Sequence, residues 1–517
     1  MRERTMLNRW AGGLALACLL TSAASAQRVL RSFEGDHGPG LAACRSGITH
    51  CDRPDMNAAA NGKQVVQVTW QNVRIYDYNG NLLRAVPMKD FIRQAGLDPL
   101  PPARGLSAGA TAQQSRGPFE PHVVFDEFIG RWIITVTCLN DCVLVSATRD
   151  ALGKWGGVYL TCGAGGPCLN FDPALHLGYD KNGMYVCGGH MGDDDPNTIP
   201  GVAYDCLAVP TAELRGIAEG KPPAHLNRKH SLPHEVQPVV DHNPKKAPTA
   251  PAFFLAKTCS REVRGGCQNA RDYRFEWLVD SFTWHGATGT YSPEQRVRTA
   301  VGSKEDQWIY NPPCCGENMG FPQKGSDVLV RAAEGHRLSN AFQFGTHIYG
   351  VMPSGPCQRD CGAQGVDDKN IAFYADLDCS QPDACVVAQT AKISGDFHAA
   401  FPVVGVDKDG NVGIVAASST ADSYLSLLLW WRRAGDPPNT LQGPTILVAG
   451  TQPWTCLNRR NLAELANPAG ISTLLDPADG SKLWISHQYS SDGSPCVWTT
   501  RIVEYEIGAN AKAPRRK

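Results

Sequence analysis

Short runs of alternating or continuous apolar residues recur along the whole chain, and no long stretch carries a helical period. Val65-Val-Gln-Val, Trp132-Ile-Ile-Thr-Val, Met184-Tyr-Val, Val412-Gly-Ile-Val and Leu483-Trp-Ile have the length and the β-branched or aromatic content of strands. Leu425 to Trp431 is too short to cross a bilayer and reads as a buried strand. Between such runs one punctuation repeats: a strand ends at Asp, a tight turn reaches Gly, and a second strand follows. It appears as Asp77-Tyr-Asn-Gly80, Asp126-Glu-Phe-Ile-Gly130, Asp180-Lys-Asn-Gly183, Asp407-Lys-Asp-Gly410 and Asp476-Pro-Ala-Asp-Gly480. The aspartate side chain bonds the turn backbone, and glycine takes the positive φ that closes it. Units of roughly fifty residues with several short strands each are propeller blades. Seven are expected, centred near Tyr76, Phe125, Tyr179, Val240, Phe344, Val406 and Leu475. Only Ala208 to Glu219 and Leu462 to Asn467 compete as helices, and both are short.

The strands carry a resemblance. Asp52 to Val86, Phe119 to Trp132, Phe401 to Asn411, and Asp476 to Trp484 with Trp498 to Ile502 resemble blades of secreted bacterial seven-bladed β-propellers. The resemblance spans most of the chain and implies an all-β single propeller; it implies no uniform activity. The chain departs from the pattern before the last blade, where Arg459-Arg-Asn-Leu462 replaces a Gly-Asp-Tyr.

Composition sets the compartment. Residues 1–26 have a basic start, a short apolar run and Ala24-Ser25-Ala26, the pattern of a cleavable leader. The expected organisation is a leader at 1–26, a segment at 27–59 leading into the first blade, the propeller at 60–507 and a disordered basic tail at 508–517. A secreted or periplasmic monomer with no transmembrane segment is expected. The 49 basic and 50 acidic residues leave no basic stripe for nucleic acid. The 52 glycines and 36 prolines fit a turn-rich chain.

Of 19 cysteines, Cys18 falls in the leader. The others pair by proximity as Cys44–Cys51, Cys138–Cys142, Cys162–Cys168, Cys187–Cys206, Cys259–Cys267, Cys357–Cys361, Cys379–Cys385 and Cys456–Cys496, with Cys314 and Cys315 adjacent. Spacing cannot prove connectivity. Read as disulfides, they are staples at hairpin tips of an exported protein. Cys314-Cys315 resembles the adjacent-cysteine disulfide of quinoprotein alcohol dehydrogenases, which would imply a quinone-dependent oxidoreductase.

Chemistry is placed by blade logic, at residues just before each inner strand. His398, His234, Glu120 and His122 are the candidate catalytic groups, since imidazole beside carboxylate suits proton transfer near neutral pH. His176 lies in a strand run like His122 and reads as a core or channel histidine. Asp172, Glu235, Gln237, Gln323, Arg459 and Arg460 are the candidate substrate-binding groups, the arginines matching a carboxylate in two-pronged fashion. The corresponding function is a polysaccharide lyase or hydrolase acting on an extracellular polymer. The alternative is a non-catalytic glycan- or protein-binding propeller. No cofactor is expected, with structural calcium left open. Asp193-Asp-Asp195 is the minority calcium reading, and the Asp407 turn lacks the glutamate of a calcium loop because Ser418 stands there.

Overall fold

The computed structural model describes residues 27–38, 54–99, 118–138, 140–162, 166–167, 171–190, 203–232, 236–259, 275–297, 320–331, 338–355, 369–455, 463–464, 472–494 and 496–508. These form seven small antiparallel sheets in a ring, a seven-bladed β-propeller. Six of the expected centres fall in six different blades; Val240 lies just past the inner strand of blade 4 and pairs with that of blade 5.

Every blade is an antiparallel meander whose first strand lies nearest the axis. These inner strands are Asn57–Ala60, Phe119–Asp126, Phe171–Tyr179, Val236–Pro238, Ala341–Phe344, Ala400–Val406 and Ser472–Leu475, in blades 1 to 7. The junction of blades 4 and 5 is hydrogen-bonded as well as packed: Val240–Asp241, continuing the inner strand of blade 4, pairs in parallel with Ala341–Phe344.

The ring closes by joining the two ends of the described chain. Blade 7 takes its inner three strands from Ser472–Leu475, Lys482–Tyr489 and Thr499–Ile507, and its outer strand from Gln27–His37. Residues 27–37 are therefore part of the propeller rather than a segment leading into it. A polar seam fixes the join. Gln67 of blade 1 accepts the Asp36 amide at 2.7 Å and donates to Ser486 Oγ at 2.8 Å and Thr500 Oγ1 at 3.0 Å. Arg74 pairs with Asp36 at 2.8 Å. Gly35 must be glycine here, because a Cβ would stand 2.5 Å from Thr500 Oγ1.

The core lies between blades and is aliphatic and aromatic throughout. Trp132, Trp277, Trp454, Trp484 and Trp498 are fully buried. Leu425 to Trp431 sits inside the strand Ser423–Arg432, as its apolar run requires.

The recurrent turn is an Asx turn at the far end of the inner strands. Asp126 Oδ1 accepts the amides of Phe128 and Ile129, Asp180 Oδ1 those of Asn182 and Gly183, and Asp407 Oδ1 those of Asp409 and Asn411. Asp476 accepts from Ala478. Blade 1 differs from expectation. Its inner turn is Asn61-Gly62, with Asn61 accepting from Lys63 and Gln64. Asp77 instead closes the outer hairpin, between Asn72–Asp77 and Leu82–Pro87.

Among the described residues two short helices occur, Met88–Gln94 and Thr211–Ile217. The second lies within the expected Ala208 to Glu219. The first buries Met88, Phe91 and Ile92, too few positions to show a period in the sequence. Among the described residues no helix is long and apolar enough to cross a membrane.

Three disulfides have both cysteines among the described residues: Cys138–Cys142, Cys187–Cys206 and Cys379–Cys385. Cys187 and Cys206 are direct cross-strand partners in blade 3. Cys496 is also disulfide-bonded. The expected pairs Cys44–Cys51, Cys162–Cys168, Cys259–Cys267 and Cys357–Cys361, the partner Cys456, and Cys314-Cys315 involve side chains outside the described residues.

Candidate functional site

The inner strands begin at one end of the ring, here called the entry end, and turn back at the exit end. Three of them are approached through residues with positive φ: Asp55 at 38°, Glu120 at 51° and Phe401 at 48°. Such backbone costs about 1–3 kcal/mol for a non-glycine residue and needs a compensating role. In blades 2 and 6 the strained residue precedes a proline, and strand register slips there, between Phe119 and His122 and between Ala400 and Val403. These are bulges that re-aim a side chain.

The polar side chains at these positions reach the next blade. Except at the junction of blades 4 and 5, inner strands of adjacent blades pack without a shared hydrogen-bond ladder, so their axial edges carry backbone groups that need partners. Asn57 Oδ1 accepts the Val123 amide of blade 2 at 3.1 Å, and its Nδ2 lies 3.4 Å from His122 Nδ1. Glu120 Oε2 accepts the Leu175 amide of blade 3 at 3.4 Å. Asn340, just before the inner strand of blade 5, grips Val404 of blade 6 twice: its Oδ1 accepts the amide at 3.0 Å and its Nδ2 donates to the carbonyl at 2.8 Å. His487 of blade 7 lies 3.3 Å from the Phe401 carbonyl of blade 6.

The candidates distribute as follows. His122 and His176 come together from blades 2 and 3, ring centroids 6.1 Å apart and both buried. Burial, reinforced by His176, pushes His122 down to about 3. Glu120 is buried on the clasp just described. His398 lies elsewhere on the ring, between blades 5 and 6. Its ring stacks on Phe321 at 4.8 Å, and its Nδ1 accepts the Asn370 amide at 3.3 Å. Gln237 is buried, with its Nε2 on the Pro238 carbonyl at 2.9 Å. Gln323 stands off the ring in the small sheet Phe321–Gln323, Ser326–Arg331 and Ala463–Glu464. It accepts the Trp454 amide and donates to the Trp454 and Val328 carbonyls, all at 2.8 Å. Asp172 pairs with Gly189 in blade 3, its side chain outside the described residues. His234, Glu235, Arg459 and Arg460 also lie outside them.

Asn57, Asn340, His487 and Gln67 escaped the sequence reading. Asparagine beside a strand carries no signal for an inter-blade clasp, since its partner is distant in sequence. His487 sits mid-strand, and burial pushes it down to about 4.

The connections divide unequally between the two ends. Exit-end turns of the inner hairpins are mostly a few residues long. Entry-end links run from Pro87 to Phe119, His190 to Ala203, Cys259 to Phe275, Val297 to Ala341, Ser354 to Ile371 and Val448 to Ser472.

No family model and no curated protein matches the chain. Among solved structures, it is similar to a protein of unknown function from Dyadobacter fermentans, at 10% identity and a TM-score of 0.40, covering 94% of this chain and all of that one. Semaphorin 1b from Drosophila, extracellular domains 1–2, is similar at 9% identity and a TM-score of 0.39, covering 93% and 87%. The α-L-arabinofuranosidase Arb93A from Fusarium graminearum is similar at 11% identity and a TM-score of 0.35, covering 74% and 91%.

Proposed function

We propose that the protein is an exported recognition propeller that holds an extracellular polymer, carbohydrate in the first instance, at the entry end. The observation that carries this reading is the engagement of the described axial polar groups. Asn57, Glu120, Asn340 and Gln237 each bond a backbone group of the fold, and so does Gln323 off the ring. The chemistry of the histidines supports the same reading. A general base works best with a pKa near the operating pH. His122 at about 3 and His487 at about 4 are weak bases for abstracting a sugar proton. Long entry-end connections on a rigid ring supply what a binding surface needs, variable contacts on a fixed frame. Arg459 and Arg460, on one such connection, are proposed to meet carboxylates of an anionic glycan. The leader and the disulfides support export.

The test presents purified mature protein to neutral and uronate-rich polysaccharides, with calorimetry for binding and reducing-end and unsaturated-product assays for turnover. Saturable binding without turnover is expected, weakened about tenfold for uronate-rich polymers by joint Arg459→Ala and Arg460→Ala substitution. Turnover abolished by His234→Ala or His398→Ala would replace this reading with the lyase or hydrolase one. A visible absorption band that travels with the protein would replace it with the quinone one.

A further inference from the structure

At the exit end, four consecutive blades meet at one partly buried charge pair. Glu127 opens the turn after the inner strand of blade 2. Tyr179 ends the inner strand of blade 3. His242 follows Val240–Asp241, the continuation of blade 4, and Phe342 lies in the inner strand of blade 5. His242 Nδ1 donates to Glu127 Oε1 at 2.8 Å. The Tyr179 hydroxyl lies 2.8 Å from Glu127 Oε2 and 3.0 Å from the Phe125 carbonyl. The imidazole stacks on Phe342 at 6.0 Å and meets Tyr179 edge-on at 5.6 Å. His242 Nε2 is buried with no hydrogen-bond partner among the described residues, so the pair with Glu127 is what holds the ring in place.

We propose that Glu127, Tyr179 and His242 form a pH-sensitive latch across blades 2 to 5, engaged in mildly acidic conditions and released in alkaline ones.

The surrounding charges set the direction. Facing His242 are Glu127 and Asp126 from blade 2, Tyr179 and the adjacent Asp180 from blade 3, and Asp241 from its own segment. Lys246 neutralises the last two, at 2.9 Å from Asp180 and 3.0 Å from Asp241. Burial pulls His242 down, but Glu127, Asp241 and Asp126 together outweigh it, so the imidazolium persists above its ordinary range. Burial opposes ionisation of Glu127, and His242 overcomes it, holding the carboxyl below its ordinary range. Asp126 behaves oppositely: burial first, then Glu127, pushes it up to about 7.

A histidine raised on folding contributes stability that is complete below its unfolded value and is lost as pH rises through the folded one. Asp126, also raised, contributes in the same sense, losing its contribution between its unfolded value and about 7. Glu127, lowered, contributes above its unfolded value and loses its contribution as pH falls through the folded one. Near pH 5 to 6 the histidine is charged, Glu127 is ionised and Asp126 is largely protonated. As pH rises through its folded value the histidine loses its charge, and Asp126 gains one towards about 7, facing Asp180 of blade 3, so both changes weaken the joints that these blades share.

The experiment uses the oxidised full-length mature chain. In wild type, the side-chain NMR titration of His242 is expected to have its midpoint above 6.5, the ordinary histidine value. Hydrogen exchange at Phe128, Ile129 and Gly183, corrected for intrinsic base catalysis, is expected to lose about tenfold in protection between pH 6 and pH 9. Glu127→Gln and His242→Gln should remove that pH dependence, and Tyr179→Phe, a milder change, should reduce it. A His242 midpoint below 6.5 overturns the proposal. So does an identical pH profile of exchange in wild type and in whichever of the three variants fold.

Discussion

Asn340 is the sharpest test of the inter-blade clasp. Asn340→Ala removes two hydrogen bonds at once, 3.0 Å from the Val404 amide and 2.8 Å to the Val404 carbonyl. Val404 is fully buried in the inner strand of blade 6, so water cannot replace the amide group. Each orphaned buried backbone group costs about 1–3 kcal/mol. Partial relaxation of the inner strand reduces the sum, and a loss of about 2–4 kcal/mol is expected. The assay is equilibrium urea denaturation with disulfides intact, read together with native-state exchange of the Val404 amide. That amide should lose protection by roughly 30-fold or more, since about 1.4 kcal/mol corresponds to tenfold. Gln343→Ala, in the blade 5 strand that Asn340 precedes, is the control. Gln343 donates to the nearby Gly345 carbonyl at a partly exposed site, and its loss should cost under about 1 kcal/mol. If Asn340→Ala unfolds within about 0.5 kcal/mol of wild type at unchanged denaturant slope, the blades do not depend on side-chain clasps.

Other substitutions probe other levels of the structure. His122, pushed down to about 3 by burial, is neutral in the fold and protonates on unfolding below its ordinary value of 6.5. Its contribution therefore shrinks as pH falls from 6.5 towards 3, by up to about 1.4 kcal/mol per pH unit, and His122→Gln should flatten that acid limb in denaturation curves. Gly350→Ala should destabilise by about 1–3 kcal/mol in thermal melts, because its Cβ would lie 2.5 Å from Leu255 Cδ2 and 3.0 Å from the Trp277 ring. Replacing Cys187 and Cys206 by alanine opens a crosslink of sequence separation 19 and should lower stability by about 3 kcal/mol, without changing which polymers bind. Unchanged melting of the alanine pair would show that the crosslink does not restrain the unfolded chain.

Local rules made the blades legible. Strand, Asx turn and glycine are short-range chemistry, so Asp126, Asp180, Asp407 and Asp476 announce inner hairpins without knowledge of the fold. The same rule misassigned Asp77, because an outer hairpin uses the same turn as an inner one. Close cysteine spacing identified Cys138–Cys142 and Cys379–Cys385 for a similar reason: a few residues of chain cannot take the two thiols far apart.

The site was less legible, because its residues answer to partners in other blades. Glu120 and His122 look like a catalytic pair in sequence, but in the ring Glu120 bonds the Leu175 amide and His122 faces His176. Gln323 looks like an axial group and instead clasps Trp454. Glu127, Tyr179 and His242 belong to three separate blades, and nothing local links them. Strand, turn, blade number and the nearby cysteine pairs all depend on neighbours along the chain and can be read without the fold. Ring closure by residues 27–37, the clasps of Asn57 and Asn340, and the exit-end charge pair emerge only in the folded ring. Those depend on which edges and charges the closed ring brings within hydrogen-bonding distance.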